Sequence, residues 1–194
     1  MSATETPPQE AVRSPRFSWA SARPSWRSSA ILIPFVALFL ALSIGSGPFL
    51  TSGNLLNILD QQSATLIIAA AGTLVLISGG LDLSVGATYA LAGVISAQTA
   101  QSHGVVTGVL VGLAVGGVVG LANGIISTFF RINSLIATLA MSFIISGIGS
   151  RVSNGNLIVL TGEPDFARIA QTEILGVRTS IWIMVVCVLL LVLV

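Results

Sequence analysis

Between residues 61 and 130 the only formal charge is Asp82. An ordinary soluble domain places a charge at about one residue in four, because its surface must face water. A stretch this long and this uncharged cannot do so, and it reads as a series of membrane-crossing helices. The rest of the 194-residue chain agrees, with 8% charged residues, 54% hydrophobic residues and a mean hydropathy of +0.97.

The charged residues that do occur exclude several chemistries. All eight basic residues are Arg. Without Lys there is no P-loop and no Schiff-base amine, so the chain does not hydrolyse ATP through a Walker site of its own. One Cys (Cys187) and one His (His103) make neither a zinc site nor a disulfide framework. Cys187 sits in an apolar run and His103 in the polar connection QSHG, so they do not read as a catalytic pair. No catalytic residue, no metal site and no cofactor bound by this chain is expected, and the chain is not read as an enzyme.

Residues 1–29 hold four Pro, seven Ser, two Glu and four Arg, a composition that cannot bury a core and reads as a disordered tail. Its Phe17, Trp19 and Trp26 are interleaved with Arg16, Arg23 and Arg27, which suits the membrane–water boundary. A cleaved signal peptide is the rival reading, but the approach to its apolar core at 31–42 is long and many spans follow.

Residues 30–194 form the second region. A helix needs about 20 residues to cross the hydrocarbon. Apolar runs at 30–44, 61–78, 83–100, 105–130 and 134–150 make five spans, and 181–194 opens a sixth. The chain stops within that run, so it reads as part of a larger membrane domain. The expected class is all-α, a polytopic membrane helical bundle. Net positive charge ahead of the first span places the N-terminus in the cytoplasm. Counting onward puts 45–60 outside, with Asp60 its only charge, then Arg131 inside and the connection 151–178 outside. That connection, with Glu163, Asp165 and Glu173 balancing three Arg, is long enough for a short surface helix and a docking site for an external partner.

Two segments carry finer information. Ser78 to Gly86 reads SGGLDLSVG. Gly79 and Gly80 end one helix, and Asp82 or Ser84 caps the next by accepting its first N–H groups. Ionisable groups at membrane depth are costly and tend to be functional, so Gly79, Gly80, Asp82 and Ser84 are also the candidate path or gate. Were this break at mid-membrane, the later loops would change sides. The run 105–130 carries Gly108, Gly112, Gly116, Gly120 and Gly124, GxxxG repeated in register, which predicts close helix packing. Asn123 beside it suits an interhelical hydrogen bond, with a place facing a path as the alternative, Asn133 or Ser134 an N-cap, and Pro34 a kink or a first turn.

Three segments resemble a known family: NLLNIL at 54–59, AGTLVLISGGLDLSVG at 71–86 and RINSLIATLAM at 131–141. The chain resembles, over about residues 30–194, the permeases of bacterial ABC importers for ribose, xylose and similar monosaccharides, a group that includes the autoinducer-2 importers. The resemblance implies about ten spans in the full domain, of which about six are present here. It implies two permease chains forming the pore, as a homo- or heterodimer, in the bacterial plasma (inner) membrane. It further implies a separate ATPase subunit that binds ATP and Mg, an extracytoplasmic sugar-binding protein, and no nucleic acid. The family's main contact with the ATPase lies in the later part of the chain, beyond residue 194. Two other readings remain: an ion-coupled secondary transporter with Asp82 as its coupling group, and a non-transporting fragment of a permease.

Overall fold

The computed structural model describes residues 30–160 and 164–193. The tail 1–29 and Glu163 lie outside the described residues. The chain divides into two units, one ending at Thr51 and one spanning Ser52–Val194. In the first unit, α1 (Leu32–Gly45) carries Pro34 in its first turn, where a missing N–H removes no helical hydrogen bond. Phe39 lies 6.3 Å from Phe35 and 5.5 Å from Phe49, ring to ring.

The second unit begins with α2 (Ser52–Ile77), α3 (Val85–His103), α4 (Val105–Thr128) and α5 (Ser134–Ser153). It continues with α6 (Pro164–Gln171), a two-stranded antiparallel hairpin, and α7 (Thr179–Val192). The polytopic helical architecture matches the expected class. The count of six spans is met only in part. Among the described residues α2, α4 and α5 are long and apolar enough to cross a membrane, whereas α1 and α7 are apolar helices of 14 residues. At about 1.5 Å per residue, 14 residues reach about 21 Å, short of a hydrocarbon core. α3 has 19 residues, but its last turn is Gln-Ser-His.

Two boundaries move relative to the sequence reading. Residues 52–60, assigned to an outer loop, are the first turns of α2. The reason is visible in NLLNILD, where Leu55, Leu56, Leu59 and Ser63 recur at helical spacing and Asp60 is neutralised by a partner described below. His103 is not in a loop but closes α3, and Gly104 alone joins α3 to α4 with φ +85°, a conformation that favours glycine.

α3 is the hub, with α4 and α5 packed on it, while α2 packs against α7. At one end of the hub, the break after α2 meets the start of α5, where Leu81 N–H donates to Ser134 Oγ at 3.0 Å. At the other end, Gln98 Nε2 donates to Val152 O (3.1 Å) and Gln101 Nε2 to Val159 O (2.9 Å). α3 and α5 therefore run parallel, and the Gly79-Gly80 break lies at an end of the hub rather than at its middle. Gly79 adopts φ +85°, its N–H donates to Leu76 O and Gly80 N–H donates to Val75 O, both at 3.0 Å. These two bonds satisfy the last carbonyls of α2 in a Schellman stop.

The hairpin pairs Glu173 with Arg178 and Ile174 with Val177. Its two-residue turn, Leu175-Gly176, has φ +55° and +76°, the positive pair of a type I′ turn. Leu175 is 89% exposed, so it gains no burial from this position. A leucine there costs roughly 1–2 kcal/mol that asparagine avoids in large part. Leu175→Asn is expected to slow hydrogen exchange at Thr179 N–H, which donates to Thr172 O across the hairpin, by about fivefold. Unchanged exchange would show that the turn is not under strain.

Candidate functional site

The break between α2 and α3 has irregular backbone, and in lipid such backbone needs protein partners. α5 supplies them. Ser134 Oγ accepts from Leu81 N–H, and Thr138 Oγ1 accepts from Leu83 N–H at 3.0 Å. Thr138 Oγ1–H in turn faces Leu81 O (3.2 Å) and Ser134 O (2.8 Å). Thr138 is 2% exposed. Two hydroxyls spaced i,i+4 on one helix thus hold the break, and α5 itself is capped by Asn133, whose Oδ1 accepts from Leu135 N–H at 3.0 Å.

Asp82 does not cap α3 as expected. Ser84 occupies the N-cap position but makes no side-chain cap bond. Asp82 Oδ1 instead accepts two bonds from Ser84, from its N–H and its Oγ–H, both at 2.7 Å. Ser84 is fully buried. Its Oγ also receives Asn123 Nδ2–H from α4 at 2.7 Å, the interhelical bond suited to that asparagine. The direction of this relay is determined by chemistry. A carboxylate only accepts, so the single hydroxyl proton of Ser84 goes to Asp82, and Asn123 must present its amide N–H. Asn123 is 6% exposed, and its Oδ1 is buried with no partner among the described residues. An orphan acceptor of this kind costs about 1–3 kcal/mol.

These groups form the wall of a cavity of about 690 Å³. Gly79, Gly80, Asp82, Gly120, Asn123, Gly124, Ser127, Thr128, Asn133, Ser134 and Thr138 contribute to its lining, and among the described residues Asp82 is the only charged one that does. Three of the four candidate path residues therefore line one space, with Ser84 directly behind. The sequence reading did not single out Ser127, Thr128 or Thr138 as site residues. A pair of hydroxyls closing an otherwise apolar span was the available signal for the first two.

The glycine repeat divides. A Cβ on Gly108 would lie 2.6 Å from Ser96 O and 2.8 Å from Ala100 Cβ, and one on Gly112 would lie 3.0 Å from Ser96 Cβ. These two glycines let α4 reach α3. Gly116, Gly120 and Gly124 have nothing within 4 Å of such an atom, and the last two line the cavity instead.

A second polar cluster was not foreseen. Arg178 Nη1 and Ser180 Oγ both donate to the Asp60 carboxylate, joining α2 to the start of α7. Among the described residues no group of three His, Cys, Asp or Glu side chains is arranged to hold a metal ion.

Helices long and apolar enough to cross a membrane, with a space partly lined by hydroxyls at a helix break, define a polytopic membrane protein. The family model for permease components of branched-chain amino acid transport systems matches residues 54–194. The chain belongs to that permease family and is a multi-pass membrane protein. It is 37% identical over 184 residues to the L-arabinose ABC transporter permease protein AraH of Azospirillum brasilense, a match covering 90% of this chain and 53% of the relative. It is 35% identical over 160 residues to the ribose import permease protein RbsC of Escherichia coli K12, covering 79% and 49%. It is 33% identical over 166 residues to the L-arabinose transport system permease protein AraH of that strain, covering 85% and 50%. The chain spans about half the length of these relatives. No solved structure matches it significantly.

Proposed function

We propose that this chain is the membrane-spanning part of a bacterial ABC importer for a monosaccharide or a similar small polar solute, and that it carries out no catalysis itself. The observation that carries this reading is the cavity at the α2–α3 break, where hydroxyls, two amides and one carboxylate stand among glycines and the aliphatic Val75, Leu81 and Ile132. Such a lining offers hydrogen bonds to a neutral polyol and holds little charge for an ion to follow. The solutes named for the relatives, L-arabinose and ribose, are of that class. Gly79, Gly80, Asp82 and Ser84 form the path or gate, with the glycines allowing the backbone to turn without a side chain in the way.

A second permease chain completes the pore, an extracytoplasmic binding protein delivers the solute, and a separate ATPase subunit binds ATP and Mg. The membrane is the bacterial inner membrane, with the N-terminus in the cytoplasm. The parity of the span count, though not which side is which, is supported by the pairs that share an end. Asp60 contacts Arg178, both on segments counted as external, and the break contacts the start of α5 beside Arg131, counted as internal.

The test is to tag the protein at its chromosomal locus, extract it in mild detergent, and identify its partners and its intact mass by mass spectrometry. A Walker-containing ATPase is expected to co-purify, and uptake of labelled L-arabinose or D-ribose by the cells should follow ATP and ignore an uncoupler. Uptake that collapses with the proton gradient would favour an ion-coupled carrier. A stable product with no ATPase and no uptake would overturn the importer reading.

A further inference from the structure

We infer that Asn123 is a positioning residue for the solute path: acting through Ser84, it holds the Asp82 carboxylate in the orientation that meets the solute. The inference rests on the importer reading above. Its basis is the one-way relay Asn123 Nδ2–H to Ser84 Oγ, then Ser84 Oγ–H to Asp82 Oδ1. Both bonds of Asp82 are on Oδ1, and among the described residues Oδ2 accepts none. The carboxylate is thus anchored by one oxygen on the buried side while the residue lines the cavity. Without Asn123, the Ser84 hydroxyl loses the donor that fixes its orientation, and Asp82 Oδ1 keeps only the Ser84 N–H as a fixed partner, which loosens the anchor.

The orphaned Asn123 Oδ1 argues that packing alone does not account for this side chain. A leucine has the same side-chain branching and would leave no unpartnered acceptor at this buried position. What asparagine supplies, and leucine does not, is the N–H aimed at Ser84. Among the described residues Asp82 is the only charged one lining the cavity, so its orientation governs the strongest hydrogen-bond acceptor a neutral solute would meet there.

The experiment measures uptake of labelled D-ribose and L-arabinose by cells carrying N123A, D82N, the double variant and N123D, each normalised to its level in the membrane. N123A is expected to lower uptake about tenfold, and to change the ratio between the two sugars, because the charge-assisted bond it loosens is oriented. In the D82N background, N123A is expected to add less than twofold, since a positioning residue has nothing left to position. The carboxyl introduced by N123D can donate to Ser84 only when protonated. Its uptake relative to the unaltered chain is therefore expected to recover as the medium goes from about pH 8 to about pH 5.5. A purely structural role would give multiplicative losses in the cycle, an unchanged sugar ratio and no recovery in acid, and that pattern overturns the inference while leaving the importer reading intact. ATP-independent behaviour, or no uptake by the unaltered chain, overturns both.

Discussion

Gly108→Val should leave little folded protein in the membrane. A Cβ at position 108 would lie 2.6 Å from the Ser96 carbonyl oxygen and 2.9 Å from Ala100 N. Both are backbone atoms of α3, so no rotamer change relieves the overlap, and α4 has to move away as a body. Within a bilayer, helices associate by close contact rather than by exclusion of water, so that separation removes much of what joins them. Ala100, with no exposed surface, would lose its neighbour first. The expected loss is about 3 kcal/mol or more for valine and about 1–3 kcal/mol for alanine, as in other overpacked interiors. Gly116→Ala is the internal control. Nothing lies within 4 Å of its Cβ position, and alanine is about 1 kcal/mol the better helix former. Membrane level and the thermal midpoint of the detergent-extracted protein, followed by size exclusion, should separate the two alanine variants clearly. Equal midpoints for Gly108→Ala and Gly116→Ala would refute this account of the α3–α4 contact.

The glycine repeat shows how far sequence reasoning carries here. Regular GxxxG spacing specifies that one face of α4 is smooth, which is a property of the helix alone. It does not specify what approaches that face. The structure uses Gly108 and Gly112 for packing on α3, and opens the cavity beside Gly120 and Gly124. The helix break was legible for the same reason that the packing partner was not: Gly79-Gly80 stops a helix through local backbone physics, so SGGLDLSVG announces it. The partners of the backbone at the break, Ser134 and Thr138, lie more than fifty residues further on, with separations of 53 and 55 from the groups they satisfy. Ser134 read locally is an N-cap; only the fold shows that its hydroxyl serves Leu81 instead, leaving Asn133 to cap α5. Asp82 was singled out for its charge, yet its bonds turn inward to Ser84 rather than along α3, because the chain reverses within two residues of it.

The same limit hid the contact between Asp60 and Arg178, 118 residues apart, and there the expected consequence is large. Asp60 retains 18% of its side-chain exposure and Arg178 41%. The carboxylate is therefore the poorly hydrated partner, and the guanidinium keeps access to solvent. Removing either partner should not be equivalent. Arg178→Ala leaves a largely buried carboxylate with only Ser180 Oγ to serve it, whereas Asp60→Ala leaves a cation that can still be solvated. Breaking a fully buried pair costs about 3–5 kcal/mol, and an exposed one at most about 1 kcal/mol. Partial exposure puts Arg178→Ala at about 2–3 kcal/mol and Asp60→Ala at about 1 kcal/mol. The double variant should be more stable than Arg178→Ala alone, because it no longer strands a charge. The readout is the thermal midpoint in detergent, together with proteolysis near the hairpin, since α7 starts directly after Arg178 and packs against α2. Selective loosening of 172–180 in Arg178→Ala, with the α3–α5 hub unchanged, is the expected pattern, because α2 and α7 form a pair of their own. If Arg178→Ala and Asp60→Ala cost the same and the double variant costs their sum, the pair is a solvated surface contact, and it does not hold α7 to α2.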